Sequence, residues 1–484
     1  MRSRRKQAGR RRLAIAGGAL VLIVGAVIVL LSTDGSSPPP PLPLPGIGQP
    51  AKPGDPFAYV SSRESDFVAR ATAGEANALY VKSPGGALAS AARVAAWRPL
   101  IDQAVAGTGI DPNLLEALVF VESAGDPNAI VGGDPINASG LTQIVAETGQ
   151  SLLGMNINLA RSRQLTGQID VAGAQGQSAR AARLERQRAG VDERFDPRQE
   201  LAATVRYLKI AESHFGRWDL AFESYHMGIG NLQTVLDDYD GGGAPVPYVQ
   251  LYFDTAPDHH TSAFDLLASF GDDSSLYYWR LLGAEQVMRL YRSDRAALDR
   301  LIFLQTDTGS NAYVLHPPDA VDPFSDPDAL DRGYAARTIL PLPSNAARLG
   351  LSYDPGIGSL ARQLRFPPAL YRGLRAPALD LLIELAARVR TLSNEPTSTL
   401  TVTSAVSDER YQQLLGVSDP PAAAGWSFTI ARRYVNEAQA RAFQAMLDRL
   451  QALNLIAWQR FPSVIEVTVA SDASQVLVHG VGGD

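Results

Sequence analysis

The chain is expected to be a multidomain protein, with one N-terminal transmembrane helix, a mainly α-helical domain and a C-terminal α+β domain. Three observations predict this. Residues 13–33 carry no charge, 57–310 read mostly as helix with no run of alternating strands, and helical and β-like runs alternate over the last 120 residues. A length of 484 residues is also more than one ordinary core sustains, which points to several domains. Hydrophobic residues at 45% and charged residues at 19% are the proportions of a globular body.

The N-terminal elements follow from charge. Residues 1–12 hold seven basic side chains, Arg2, Arg4, Arg5, Lys6, Arg10, Arg11 and Arg12, and read as a cytoplasmic segment. Against a net charge of −6, these seven leave −13 for the rest. An acidic body excludes a nucleic-acid partner, because phosphate contacts need basic surface. The 21 uncharged residues from Leu13 to Thr33 would span about 30 Å as a helix, the thickness of a bilayer core. The expected location is therefore the cell membrane, single-pass, with the body in the extracytoplasmic envelope. The competing reading is a cleaved signal peptide. Its apolar region is usually shorter, no Ala-x-Ala follows, and Thr33-x-Gly35 is a weak cleavage candidate. Residues 34–56 are dense in proline and read as an extended tether. The absence of cysteine excludes disulfides, thiolate metal sites and a lipidated cysteine anchor.

Within 57–310, helical segments are expected at 87–106, 112–124, 198–215, 218–226 and 275–306. Residues 156–194 are polar and read as a long insertion, helical around 177–189. Residues 311–360 are rich in Pro and Asp and read as a linker, with a short helix around PSNAARLG. In 361–484, helices at 375–391 and 436–453 alternate with β-like runs at 400–406, 426–431, 464–470 and 475–479.

Asp111-Pro112 opens a helix with a capping carboxylate and a proline in its first turn, and Gly125 closes it. Leu114, Leu118 and Glu122 share one face at i, i+4, i+8. Apolar neighbours and the negative end of the helix dipole both raise the pKa of a glutamate placed there. A general acid at neutral pH needs such a raised value. On this segment alone, a solvated glutamate is the plainer reading.

Two further segments change the balance. ASGLTQI (138–144) follows the helix, and SYHMGIG (224–230) follows later behind another. With VES (121–123), they resemble the motifs of the family-1 lytic transglycosylases, which share the goose-type lysozyme fold: Glu-Ser, then Gly-Leu-Met-Gln-Ile, then Ala-Tyr-Asn-Ala-Gly. FDPRQELAATVRYL (195–208) resembles the family's segment between the last two motifs, and SLYYWRLLGAEQVMRLY (275–291) its following helix. The resemblance covers roughly residues 85–300 and makes 57–310 a lysozyme-like domain. It implies Glu122 as the single catalytic acid/base, with Ser123, Ser139, Gly140, Gln143, Tyr225 and His226 binding the sugar or walling its groove. Plainer readings stand beside these: Gly140 as a turn residue, Tyr225 as core packing, Gln143 as surface. The chain departs from the pattern at Thr142, Ser224, His226 and Met227. His226 is read as a hydrogen-bond donor in place of asparagine, an added titratable group, or a packing residue.

The resemblance implies cleavage of the bond between N-acetylmuramic acid and N-acetylglucosamine in peptidoglycan strands, leaving 1,6-anhydro ends, with no cofactor. A hydrolytic muramidase on the same fold and a non-catalytic wall-binding scaffold are the alternatives. No metal is expected; His259-His260 is read as a loop feature whose side chains diverge. Residues 400–415, 425–434 and 464–470 faintly resemble the zinc D-alanyl-D-alanine carboxypeptidases. Thr429 replaces their ligand Asp, Ser407 stands where their arginine is expected, and no histidine lies between His316 and His479. The resemblance implies a catalytically dead relative that binds wall peptides or a cell-wall protein partner; an unrelated α+β packing domain is the alternative.

Overall fold

The computed structural model describes residues 55–481. The expected cytoplasmic segment (1–12) and transmembrane helix (13–33), and all but the end of the proline-rich tether (34–56), lie outside the described residues. Among the described residues, no helix is long and apolar enough to cross a membrane. These residues form two compact units. One comprises Ala89–Pro245 and Asp265–Met288; the other comprises 55–88, Val246–Phe264 and 289–481.

The first unit is helical. Its central helix α1 (Pro112–Ser123) starts where expected, with the Asp111 carboxylate accepting from Asn113 N at 2.8 Å. Its middle, Leu115 to Phe120, is buried all round. The segment read as an insertion is a helical hairpin, α2 (Leu159–Ala174) and α3 (Ser178–Ala189). Leu165, Ala172 and Leu184 give the hairpin a small core of its own. This exceeds the expectation of helix around 177–189 alone. The polar composition conceals a sparse apolar stripe, which suffices for a two-helix contact.

The next helix, α4 (Pro197–Phe215), repeats the Asp-Pro start: Asp196 accepts from Arg198 N at 2.9 Å. It packs on α5 (Trp218–Met227). Helix α6 begins at Tyr277 and runs to Ser293; Tyr277, Trp279 and Leu281 are buried in its first turns.

The second unit holds a five-stranded sheet. In chain order its strands are β1 (Leu351–Tyr353), β2 (Leu400–Ser404), β3 (Ser427–Ala431), β4 (Ile456–Arg460) and β5 (Val464–Val469). The spatial order is β1-β2-β3-β5-β4, parallel only between β1 and β2. Helices α7 (Ala376–Ser393) and α8 (Glu437–Ala452) pack together and against the sheet through Leu381, Leu385, Phe443 and Met446.

Three sequence expectations differ here. The segment 311–360, read as a linker, supplies β1 and a capped helix, Pro327–Ala335, whose Leu330 joins a core with Ile339, Tyr371 and Val406. Asp326-Pro327 within it is a helix start: Asp326 accepts from Ala329 N at 2.8 Å. Residues 475–479, read as a strand, fall in the helix Ala473–Val481. β4 was not expected, because it follows α8 after only three residues and carries Gln459 and Arg460.

Candidate active site

The end of α1 is set by close packing. Ala124 and Gly125 both take left-handed backbone, at φ 52 and 81. A Cβ on Gly125 would lie 2.8 Å from the backbone nitrogen of Val94, so a larger residue is excluded there. This stop leaves Glu122 in the last turn, one residue before the helix ends.

Glu122 keeps partial solvent access, yet enough protein surrounds its carboxyl that burial pushes its pKa up to about 7. The Tyr277 hydroxyl donates to Oε1 at 2.7 Å and opposes the rise in part. Tyr277 is itself buried, and burial together with the Glu122 charge holds it well above the usual phenol range. It therefore stays a donor. The expected Leu114–Leu118 face contributes less than supposed, since Leu114 is half-exposed. Burial of the carboxyl and the Tyr277 hydrogen bond set its state.

Residues 138–144 form a loop beside Glu122, pinned by bridges pairing Ser139 with Ile130 and with Ile144. Two buried polar side chains hold it from below. Glu200 accepts from Leu141 N at 2.6 Å, Thr142 N at 2.8 Å and the Thr142 hydroxyl at 3.1 Å. Burial still outweighs these donors and raises Glu200 to about 8. Arg194, paired with Asp192 at 2.8 Å, donates to the carbonyls of Pro135, Asn137 and Ile144. Gly140 lies where the two meet. At φ 91, a Cβ there would be 2.0 Å from the Arg194 carbonyl and 2.4 Å from the Glu200 carboxylate.

The expected site residues sort by what they touch. Ser123 donates to Leu141 O at 2.6 Å and so ties the end of α1 to the loop. Gln143 is partly exposed at φ 58, and its amide nitrogen donates to Gly140 O at 2.6 Å. Tyr225 donates to Thr142 O at 2.8 Å, near enough to Glu122 that this charge adds to its raised pKa. Ser139 corrects the expectation: it is fully buried and donates to Asn137 O at 3.0 Å, so it builds the loop and presents nothing to a ligand. His226 is half-buried beside Tyr277. Burial lowers its pKa; it stacks on Tyr277 at 5.2 Å between ring centroids and bonds Ser274 at 3.1 Å.

Sequence reasoning missed Tyr277, Glu200 and Arg194. Tyr277 lies in a segment already noted, but nothing in that segment distinguishes it from Tyr278. Glu200 and Arg194 read as surface charges. Only an acid in the first turn of α4 beside Leu201 and Ala203 hinted at burial.

The second unit holds the other groups singled out. Thr429 Oγ1 lies 2.6 Å from Thr403 Oγ1, and Ser407 accepts from the Gln412 amide at 2.9 Å. The rings of His259 and His260 do not diverge as expected. Their centroids are 4.2 Å apart and both face Asp254, because His260 takes left-handed backbone at φ 47.

Residues 99–166 match the family model of the transglycosylase SLT domain. The matched stretch includes α1 with Glu122, the 138–144 loop and the start of α2; the 224–230 motif lies beyond it. The match supports a domain of the lytic-transglycosylase, lysozyme-like type, an enzyme type whose substrate is peptidoglycan.

Proposed function

We propose that this chain is a lytic transglycosylase that cleaves the bond between N-acetylmuramic acid and N-acetylglucosamine and leaves 1,6-anhydromuramic ends, with Glu122 as its one acid/base. The observation that carries the reading is a carboxyl at the head of the loop with a pKa near 7, hydrogen-bonded to a phenol. A group half-protonated at neutral pH serves as acid in one step and base in the next.

Glu122 gives its proton to the glycosidic oxygen as the C1–O bond breaks. It then takes the proton of the muramic O6 hydroxyl as O6 bonds to C1. The proton inventory closes and no water is consumed. The Tyr277 hydroxyl occupies Oε1, which leaves Oε2 for the transferred proton. Glycosidases that activate water pair two carboxyls. Glu200 is unsuited to the second role, because Leu141 and Thr142 already occupy both of its oxygens. That favours intramolecular attack over hydrolysis.

Tyr225 lies near the same carboxyl, and it and Gln143 of the 138–144 loop are assigned to the sugar. Membrane anchoring through residues 13–33, with the body in the envelope, belongs to this proposal, as does a wall-peptide or protein partner for the second unit.

The test is digestion of purified peptidoglycan by the full chain in detergent, with products read by mass spectrometry. Anhydro ends, each lighter by one water than a reducing end, are expected, and Glu122→Gln abolishes them. Reducing ends would make the enzyme a muramidase. Binding without cleavage would make it a scaffold.

A further inference from the structure

The second unit contains a cluster that the glycan chemistry does not use. The helix Tyr248–Asp254 ends at an aspartate, and five residues later the chain turns back. Ala256 and His259 close that turn with reciprocal backbone hydrogen bonds of 2.8 and 3.0 Å. His260 then adopts φ 47, a conformation a β-carbon disfavours. That rotation sends two adjacent imidazoles to the same side, edge to face at 84°.

We propose that Asp254, His259 and His260 form a binding site for a divalent transition-metal ion of the zinc type. One ligand atom from each lies within 4.8 Å of the other two. Asp254 Oδ2 is 3.7 Å from His260 Nε2. That gap is too long for a hydrogen bond. It resembles the spacing of two ligands around one ion: two donors each about 2.1 Å from a tetrahedral zinc stand about 3.4 Å apart. His259 Nδ1 also lies 2.7 Å from the Asp254 carbonyl oxygen and donates to it. Such a bond fixes the ring and its tautomer and leaves the lone pair on Nε2, the usual support for a metal-bound imidazole.

The donor set selects the ion. Two imidazoles and a carboxylate suit zinc, cobalt or nickel; magnesium and calcium take oxygen ligands. The three side chains are 13–26% exposed, so an ion can enter and a water can complete the shell. The adjoining cavity is lined by Asp55, Asp258, Arg388 and Arg449. Its arginines are engaged elsewhere: Arg388 pairs with Asp55 at 2.6 Å, and Arg449 donates to the carbonyls of Tyr252, Phe253 and Thr255. The ion would clip the end of the helix to the turn that follows. None of this depends on the glycan-cleaving reading.

The test uses the full chain, free of any histidine tag, in detergent. It is loaded with zinc or cobalt, dialysed, and read by elemental analysis and by the visible spectrum of bound cobalt. About one ion per chain is expected, with the intense visible bands of a four-coordinate site. His260→Gly removes a ligand and also relieves the backbone, so it keeps the fold. His259→Ala removes the second ring. Each should weaken binding by at least about tenfold, the lower end of what even loss of an outer-shell partner does. Retention of no more zinc by the wild type than by His260→Gly overturns the proposal. So does equal retention by His259→Ala, which would place the ion elsewhere.

Discussion

Replacing Glu122 by glutamine should change stability in a way that depends on pH, and the sign follows from the site. The glutamate has a pKa of about 7 in the fold against an ordinary value of 4.5. The folded state therefore binds this proton more tightly than the unfolded chain does. Its contribution is fully present below pH 4.5 and is lost as pH rises through 7. A difference of about 2.5 pKa units corresponds to about 3 kcal/mol. Glutamine keeps a carbonyl for the Tyr277 hydroxyl and has no charge to bury. The variant should match the wild type near pH 4.5 and exceed it by up to about 3 kcal/mol above pH 8. Urea unfolding followed by circular dichroism at half-unit steps measures this difference, and other titrating groups largely cancel between the two proteins. A difference that is flat with pH, or that grows toward acid, would refute the claim that burial holds this carboxyl near neutrality. The same variant loses activity at every pH, which separates a catalytic glutamate from a merely buried one.

Other perturbations test the supports. Tyr277→Phe deletes the one hydrogen bond that lowers the Glu122 pKa, so the alkaline limb of the pH–rate profile should move up while the rate falls roughly 10- to 100-fold. A limb that stays in place contradicts the pairing. Glu200→Gln turns an amide N–H₂ toward the backbone N–H of Leu141 or Thr142 and should cost about 1–3 kcal/mol in denaturant melts, with KM raised more than kcat lowered. Gly140→Ala forces a β-carbon into the Arg194 carbonyl and should cost roughly 3 kcal/mol or more; a neutral substitution would mean the loop sits elsewhere. Leu330→Ala, in the stretch first read as a linker, should cost about 2–5 kcal/mol and unfold the second unit earlier on heating.

What the sequence disclosed was whatever local chemistry decides. The Asp111-Pro112 start appears as a helix cap, and the order of the short motifs singled out Glu122 and Tyr225, which lie close enough for the Glu122 charge to act on the phenol. What it hid was decided at a distance. Arg194 and Glu200 look like any surface charges until the 135–144 loop lies over them. Ser139 carries a polar side chain suited to a ligand, yet it faces inward. The QVLVH run is short, β-branched and apolar, and such a run does not distinguish the two periods. His260 shows the same limit from the other side, since one positive φ, invisible in the letters, decides whether two rings part or meet.

The α2–α3 hairpin leaves and rejoins its unit through a single rung. Ile157 bridges Asp192, and Asn158 N donates to Val191 O at 2.8 Å. Its two ends are thus already neighbours, and the excursion between them is a detour in an otherwise continuous path. Arg194 and Asp192 stand on the near side of that rung. A short turn joining 157 to 192 would shorten the chain by two helices and keep Asp192 and Arg194, forfeiting the Arg163–Asp134 ion pair, the Ser162 hydrogen bond to Asp192 and the Arg188 contacts to Asn128 and the Phe195 ring. Chain length can therefore vary here independently of the chemistry next door.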